Sequence, residues 1–501
     1  MISRYRDFYG RVRRGSSATI SPVRHFLGAP GREVPLLFLV ALSVRLPMCF
    51  WAWDRVKPTA DGEYYHVVAE RIAQGLGYTW AWPDGAVTYA AHYPVGYPAL
   101  MSVLYRFFGP IPGLAMVMNA LVGSLAIALL YELNLDLVRR SPLRAYARWS
   151  ALIVSGLLIF SPTLVGYTPA LMTESVVGAL LSIAAWLSFK FNSRAKGRPR
   201  SRALLFSLLI VCVGGATFLR PQSILLAPIL GYLCTEGTWK RRMILAGALS
   251  VGSLMIVAPW VQRNCEKMDR CVFVSANGGW NLLIGTFPEG NGAWVGLTGS
   301  RVPVECREVF KEAEKDVCFR RAALRRIRSN WGGWLGLISA KWRATFDYTA
   351  AAAEHLFASG AISESGRDIV RILEIPFQRL LGILALAGAY SLGIGRESGA
   401  IKKVRFILAL IGLFGFLGGG AIYGWIALVL LSLGEPRKLE QVGVGYGVST
   451  VAATALIYAI FFGAGRYFLP LLYACAPLAS LGIAWFLCRL FISTKKIAQK
   501  A

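Results

Sequence analysis

Asp61, Glu63 and His92 stand within one polar stretch, 54–109, in the company of Tyr64, Tyr65, Trp80, Trp82, Tyr89, Tyr93 and Tyr97. The stretch is too polar to lie in lipid, yet it follows the first long apolar run directly. Carboxylates and an imidazole can move protons, and aromatic rings settle at a water–lipid boundary. Together, where a membrane helix surfaces, they have the composition of an active site at that boundary. One loop does not complete such a site, so other segments must bring groups to the same side.

The composition says what those segments are. The 501 residues are 55% hydrophobic and 16% charged, with mean hydropathy +0.51. This excludes an ordinary soluble multidomain enzyme and indicates an α-helical polytopic membrane protein. Apolar runs near the ~20 residues of a bilayer span recur along the chain. The net charge of +27 does not point to nucleic acid, because the basic residues form short clusters between apolar runs and not one face. Membrane lipids are the implied partner of these clusters.

The first span is expected over 34–53, with Arg45 inside it as a snorkelling or helix-packing residue. A short amphipathic helix over 63–74, closed by Gly75-Leu76-Gly77, and a second helix ending at Gly109 fill the loop that follows. The next span covers 113–138. The apolar stretch 149–189 is too long for one crossing and divides between Ser161-Pro162 and Glu174. Spans at 203–219, at 223–234 and up to 261 precede a long polar segment, 262–376, with a helix around 308–329. Spans near 377–394, 406–416, 422–433, 445–462 and 467–491 bring the expected total to about twelve. The expected organisation is a basic cytoplasmic segment 1–33, a membrane module 34–261 that includes the loop 54–109, an exported segment 262–376, C-terminal helices 377–491 and a cytoplasmic tail 492–501.

Alternation then assigns the faces. With Arg4, Arg6, Arg11, Arg13 and Arg14 in the cytoplasm, the clusters that begin at Arg139, Lys190, Lys240, Arg396, Arg437 and Lys495 fall on the same side. Asp61, His92, Glu174, Arg220, Arg263 and Arg466 share the opposite, exported face. No signal peptide or cleavage site is evident, so the first span is read as a retained anchor. Of nine cysteines, Cys265, Cys271, Cys306 and Cys318 lie in the long segment. An exported compartment is oxidising, so two disulfides are expected, most simply Cys265–Cys271 and Cys306–Cys318, although four cysteines permit other pairings. Zinc binding is the rival, weakened because neither pair has CxxC-like spacing.

Several motifs now bear on family. Asp61-Gly62-Glu63-Tyr64-Tyr65 is followed by Ala69-Glu70-Arg71 and by Gly75-Leu76-Gly77-Tyr78. Farther on come His92-Tyr93-Pro94-Val95-Gly96-Tyr97-Pro98, Met172-Thr173-Glu174 and Leu219-Arg220-Pro221. Pro259-Trp260-Val261-Gln262-Arg263-Asn264, Asn277 to Gly285, and Arg466 to Pro470 complete the series. In this order, between these spans, the chain resembles the GT-C superfamily of glycosyltransferases that use polyprenyl-phosphate sugars. That group includes bacterial relatives of protein O-mannosyltransferases and the lipid A aminoarabinose transferase. Each motif alone is weak, and the last third, apart from Arg466 to Pro470, resembles the family only in hydropathy.

The resemblance implies a reaction at the outer face of a bacterial inner membrane. An acceptor hydroxyl of a glycan, lipid or protein attacks the anomeric carbon of a sugar on undecaprenyl-phosphate or a similar lipid. The lipid phosphate leaves and the configuration inverts. Asp61, by its place in the motif, is the expected proton acceptor; the plainer role is a helix N-cap. Glu63 assists it or favours the helix dipole. Glu174 is the second acid, positioning the acceptor or a divalent cation, or else an N-terminal helix charge. Arg263, Arg466 and Arg220 are expected to meet the donor phosphate, with interfacial snorkelling or capping of a hinge as their ordinary alternatives. His92 relays a proton or touches sugar. Tyr65, Trp280 and Asn281 are expected against substrate, the last two in a glycine-bearing turn that roofs the site without chemistry. Asp61, Glu174 and His92 could form part of a shell for a divalent cation, the one cofactor considered, but no tight ligand spacing supports it. Two other classes compete: a transporter or lipid flippase, which would favour inverted repeats and midplane polar groups, and an envelope scaffold.

Overall fold

A computed structural model describes residues 32–194, 198–347, 350–393 and 399–498. The N-terminal arginines, Arg396 and Lys500, expected in the cytoplasm, lie outside these residues. The chain opens with α1 (Glu33–Ala52), α2 (Asp61–Ala73), the strands β1 (Thr79–Ala81) and β2 (Val87–Tyr89), α3 (Gly96–Phe108) and α4 (Pro112–Arg139). It continues through α5 (Ala147–Ile159), α6 (Pro162–Gly166), α7 (Thr173–Ser193), α8 (Pro199–Leu219), a 3-10 turn Pro221–Leu226, α9 (Ala227–Leu233) and α10 (Trp239–Lys267). The segment that follows holds α11 (Gly278–Ile284), α12 (Glu312–Ser329), α13 (Trp331–Gly336), α14 (Ile338–Phe346) and α15 (Ala351–Ala358). Then come α16 (Glu364–Ser391), α17 (Gly399–Leu417), α18 (Ala421–Leu433), α19 (Pro436–Leu439), α20 (Val442–Ile460), a 3-10 turn Gly465–Phe468, α21 (Leu469–Ala474) and α22 (Ala476–Ala498).

Among the described residues, seven helices are long and apolar enough to cross a membrane: α1, α4, the unit Arg144–Gly166, α7, α8, α10 and α20. The bent pair Gly465–Ala474 and Ala476–Phe491 makes an eighth if taken as one span. The protein is thus an integral, multi-pass α-helical membrane protein, with fewer qualifying spans than the twelve expected. The physical reasons are local. The α9 and α18 regions are short apolar helices, Pro221–Leu233 and Ala421–Leu433. The first turns of α17 carry Lys402, Lys403 and Arg405.

Two boundaries differ from the sequence expectation for a common reason. Helix α10 passes through Pro259 and ends six residues beyond 261, and α16 begins at Glu364 and passes through Pro376. In each case an amphipathic turn prolongs an apolar helix past the hydrocarbon, where composition alone marks a loop. The N-terminus of α16 is fixed by Ser363, whose hydroxyl accepts from Gly366 N–H at 3.2 Å. The final apolar run is broken and not continuous: its halves meet at 59° around Cys475. Pro477 lacks an amide proton and sits in the first turn of α22, where that loss is harmless.

The core is small-residue packing. Helix α1 packs on α4, and α16 runs along α22. A Cβ built on Gly388 would fall 1.9 Å from Leu478 O, and one on Gly482 would fall 1.9 Å from Leu384 O. The two backbones are in direct contact there, the usual device by which membrane helices associate without a hydrophobic drive. Arg45 is buried within this packing and donates to Ala41 O (3.2 Å) and Leu158 O (3.3 Å). It therefore serves helix packing. In the long segment, Cys265 is bonded to Cys271 and Cys306 to Cys318.

A side chain at the α16–α22 crossing has nowhere to go. Gly388→Val should destabilise the folded protein by at least about 2 kcal/mol, and Gly388→Ala by less. Unfolding followed in detergent by helix circular dichroism checks this, with Gly399→Val, where a Cβ meets nothing within 4 Å, as the unaffected control.

Candidate active site

Four elements remote in sequence deliver the charged groups of one cluster. Asp61 is the first residue of α2, Glu174 lies in the first turn of α7, Arg220 follows the last residue of α8, and Arg466 sits in the 3-10 turn before α21. Close backbone approach brings them together. A Cβ on Gly96 would lie 2.7 Å from the Phe218 carbonyl carbon, so the loop behind Asp61 rests on the end of α8 just before Arg220.

Arg466 is the hub. Its Nη2 lies 2.8 Å from Asp61 Oδ2 and its Nε 3.2 Å from Glu174 Oε1. Its Nη1 faces Met172 Sδ at 3.5 Å. Arg220 pairs with the same Glu174 Oε1 through Nη2, donates from Nε to Thr173 Oγ1 at 2.9 Å and from Nη1 to Tyr458 Oη at 3.2 Å. Its guanidinium lies 4.8 Å from the Tyr467 ring centre, and Tyr467 stacks on Tyr458 at 4.4 Å. Two carboxylates and two guanidiniums thus form one chain of ion pairs with no net charge. Glu174 is fully buried, and its Oε2 has no hydrogen-bond partner among the described residues.

Asp61 has a second partner, Tyr93, whose hydroxyl donates to Oδ1 at 2.9 Å. Burial alone would raise the Asp61 carboxyl, but Arg466, the Tyr93 hydroxyl and Arg220 outweigh it and hold the group below its ordinary value. Asp61 is accordingly ionised at neutral pH. Burial pushes the Tyr93 phenol upward, and the adjacent Asp61 charge adds to this, so Tyr93 remains a donor. His92 rests between the Tyr93 ring (4.7 Å) and the Trp280 ring (5.1 Å). Burial outweighs the attraction of Asp61 and lowers its imidazole to about 4, so it is neutral.

A cleft begins at Glu174 and Arg220 and continues between α7, the 3-10 turn Pro221–Leu226 and α20. Val177, Leu181, Leu226, Ala453 and Ile457 give it an apolar wall, interrupted by Gln222, Ser223, Thr450 and Thr454. One end therefore carries the paired charges of Glu174 and Arg220, and the remainder is largely apolar.

Not every residue singled out in the sequence joins this cluster. Arg263 does not: it donates to Ala90 O (2.9 Å) and Tyr78 O (2.8 Å), and its guanidinium lies 4.7 Å from the Trp260 ring. It thereby closes the base of the β1–β2 hairpin, whose strands pair antiparallel with Trp80 opposite Thr88. Glu63 is exposed and its side chain makes no ion pair or hydrogen bond among the described residues, being two positions and some 200° around α2 from Asp61. Tyr65 is buried edge-on to the Tyr93 and Tyr97 rings, behind the cluster. Trp280 reaches the cluster through His92, whereas Asn281 makes no side-chain hydrogen bond among the described residues. Asp61, Glu174 and His92 do not converge as a ligand set, and among the described residues no three acidic, histidine or cysteine side chains do. Both carboxylates turn instead to Arg466, so no step is drawn through a cation.

Sequence reasoning passed over Tyr93, Thr173, Tyr458 and Tyr467 as partners. Tyr93 and Thr173 stand inside quoted motifs, next to the residues that drew attention, and could have been found there. Tyr458 lies in an apolar run, and only its phenol distinguishes it from a packing residue.

A comparison with protein-family models finds no match, and neither does one with curated protein sequences. Solved structures do show similarity. The Archaeoglobus fulgidus oligosaccharyltransferase tethered to an acceptor peptide is 14% identical, with 92% of this chain and 50% of that chain covered and a TM-score of 0.45. The apo form of that protein is 11% identical, over 93% of this chain and 52% of that one, with a TM-score of 0.46. ArnT from Cupriavidus metallidurans bound to undecaprenyl phosphate is 15% identical, over 91% of this chain and 78% of that one, with a TM-score of 0.36. The chain thus spans about half the length of the oligosaccharyltransferase and about three quarters of ArnT.

Proposed function

We propose that this protein is a membrane glycosyltransferase of the GT-C type. It moves a sugar from a polyprenyl-phosphate donor to an acceptor hydroxyl of a glycan, lipid or protein. The reaction takes place at the exported face of a bacterial inner membrane and inverts the anomeric carbon. The observation that carries this reading is the neutral Asp61–Arg466–Glu174–Arg220 chain at the charged end of a largely apolar cleft. The motif series supports it, because Asp61, Glu174, Arg220 and Arg466 each come from a different motif.

The roles follow from the contacts. The isoprenoid tail occupies the apolar wall and the phosphate lies against Arg220 and Arg466. There it competes with Asp61 for Arg466, since one guanidinium edge cannot satisfy both anions fully. As Asp61 gives up that ion pair, only the Tyr93 hydroxyl and the more distant Arg220 still oppose burial, and its proton affinity rises. The carboxylate becomes a better base when the donor is in place. The acceptor oxygen then attacks the anomeric carbon as Asp61 takes its proton, the glycosidic bond to phosphate breaks, and the two arginines hold the departing charge. Glu174, shared between the arginines, keeps both in position. Arg263 fastens the loop that carries Tyr78 and Ala90. A transporter would need its polar groups at mid-membrane, whereas these groups meet at the ends of α2, α7 and α8.

Asp61→Asn should lower transfer at least about a hundredfold while donor binding is kept or tightened, because the anion that competes for Arg466 is gone; Arg466 keeps Glu174, so the protein should still fold. Turnover of a labelled polyprenyl-phosphate sugar by the purified protein is the measurement; full activity in the variant removes Asp61 as the base, and vesicle accumulation without turnover supports transport.

The Asp61 carboxyl is depressed in the folded protein, so its contribution is present at neutral pH and lost only as pH falls through that lowered value. The acid limb of kcat/KM in the free enzyme should therefore lie below the ordinary aspartate range. Arg466→Ala removes the strongest of the groups that oppose burial and leaves the Tyr93 hydroxyl and Arg220, so that limb should move to higher pH while the donor KM rises more than the acceptor KM. A limb that stays in place contradicts the pairing.

A further inference from the structure

We propose that Glu312 and Asp316, one turn apart on α12, are positioning residues for the acceptor side of the Asp61 site. This deepens the transferase reading and rests on it for the word acceptor. Each carboxylate binds backbone, not a cation. Glu312 Oε2 accepts from Ala91 N–H at 2.6 Å and the same carboxylate also accepts from His92 N–H. Asp316 Oδ1 accepts from Gly279 N–H at 2.6 Å and Trp280 N–H at 3.2 Å. Neither forms an ion pair within 4 Å among the described residues; Arg263 acts on Glu312 and Arg320 on Asp316 only at longer range. Both are partly buried, and a carboxylate drawn out of water is costly unless it is hydrogen-bonded. Here paired amide donors meet each one.

What the two groups hold explains it. The His92 and Trp280 rings meet at 5.1 Å, and Phe319, one further turn along the same face of α12, backs Trp280 at 4.6 Å. Ala276 N–H donates to Ala91 O at 2.6 Å, so the two held segments also hold each other. The residue after His92 is Tyr93, the hydroxyl donor to Asp61. A continuous path therefore runs from α12 through Ala91-His92 to the base. The arginines are reached differently: the partners of Arg220 and Arg466 come from α2, α7, α20 and the segments next to α7 and α21, none from α12. The Cys306–Cys318 disulfide ties the middle of α12 to the preceding turn and keeps this face in register. Helix α12 thus sets the wall opposite the phosphate arm, where an acceptor approaches the anomeric carbon.

The test uses the full-length protein in detergent. In Glu312→Ala, hydrogen exchange at Ala91 and His92 should accelerate, and in Asp316→Ala that at Gly279 and Trp280, with peptides around Arg466 unchanged. In turnover, both variants should raise the acceptor KM or lower kcat by about tenfold or more while the donor KM stays within about twofold. Glu312→Gln and Asp316→Asn keep a carbonyl acceptor for the amides and should recover most of the loss. If the alanine variants fold poorly, the amide variants carry the same test through their milder exchange change. Unchanged exchange at the held amides overturns the latch whatever the activity. Faster exchange with equal shifts in donor and acceptor KM overturns the acceptor role. A wild-type protein that turns over no polyprenyl-phosphate sugar sinks the transferase reading and that role with it, while exchange still decides whether the latch exists.

Discussion

A partly buried guanidinium, that of Arg466, held between two carboxylates is the constraint on which the rest depends. Glu174 is withdrawn from water, and an unpaired charge there would cost several kcal/mol. Arg466 and Arg220 remove that cost only if the start of α7, the end of α8 and the turn before α21 meet at one point. Asp61 adds the start of α2 to the same point. Ion pairing that looks like chemistry is therefore also a topological restraint: four segments spread over more than four hundred residues are fixed by three pairs.

Around that point, the end of α10 and the long segment after it act through the backbone. Arg263 uses two carbonyls to hold the mouth of a hairpin, Glu312 and Asp316 use amides to hold two loops, and Lys341 reaches Ala459 O and Ile460 O, each at 3.2 Å. Gly463 N–H donates to Gly292 O at 2.8 Å, just before the turn that carries Arg466. Charged side chains bound to main chain fix loop conformation without placing net charge beside substrate. Burial also lowers the Lys341 ammonium to about 8, consistent with a cation kept in place by carbonyl dipoles and the Trp334 ring, 4.9 Å away, with no carboxylate partner among the described residues.

Much of this was legible in the sequence, and unevenly. The class and the ends of α1, α4 and α20 follow from apolar run length, to within a few residues. Asp61, Glu174, Arg220 and Arg466 stand out because polar residues at the ends of apolar helices need a reason, and alternation places them on one side. Arg263 stands out for the same reason and goes elsewhere. At that level a phosphate-binding arginine and one that staples a hairpin look alike, since the difference lies in which carbonyls come within 3 Å. The β1–β2 hairpin has only three residues per strand, below what periodicity registers, and its turn depends on Asp84 and Gly85. Glu312 and Asp316 lie on a charged helix, where an acid with a basic residue three or four positions away ordinarily means a solvated ion pair; only their partial burial and their backbone partners distinguish them.

A neutral cluster has a consequence for a site that must admit an anion. If the two arginines stood alone, an empty site would leave two positive charges in low dielectric, and the fold would bear that cost between turnovers. In the proposed reaction, with Asp61 and Glu174 in place, an arriving phosphate would exchange one anionic partner of Arg466 for another, so little new desolvation would be needed. Glu174 is shared between two arginines and fully buried, whereas Asp61 is partly exposed and held by a single arginine edge and a phenol. Under the proposed function, the same asymmetry that would let phosphate in would also select Asp61 as the carboxylate released to act as a base, at the moment the leaving group is present.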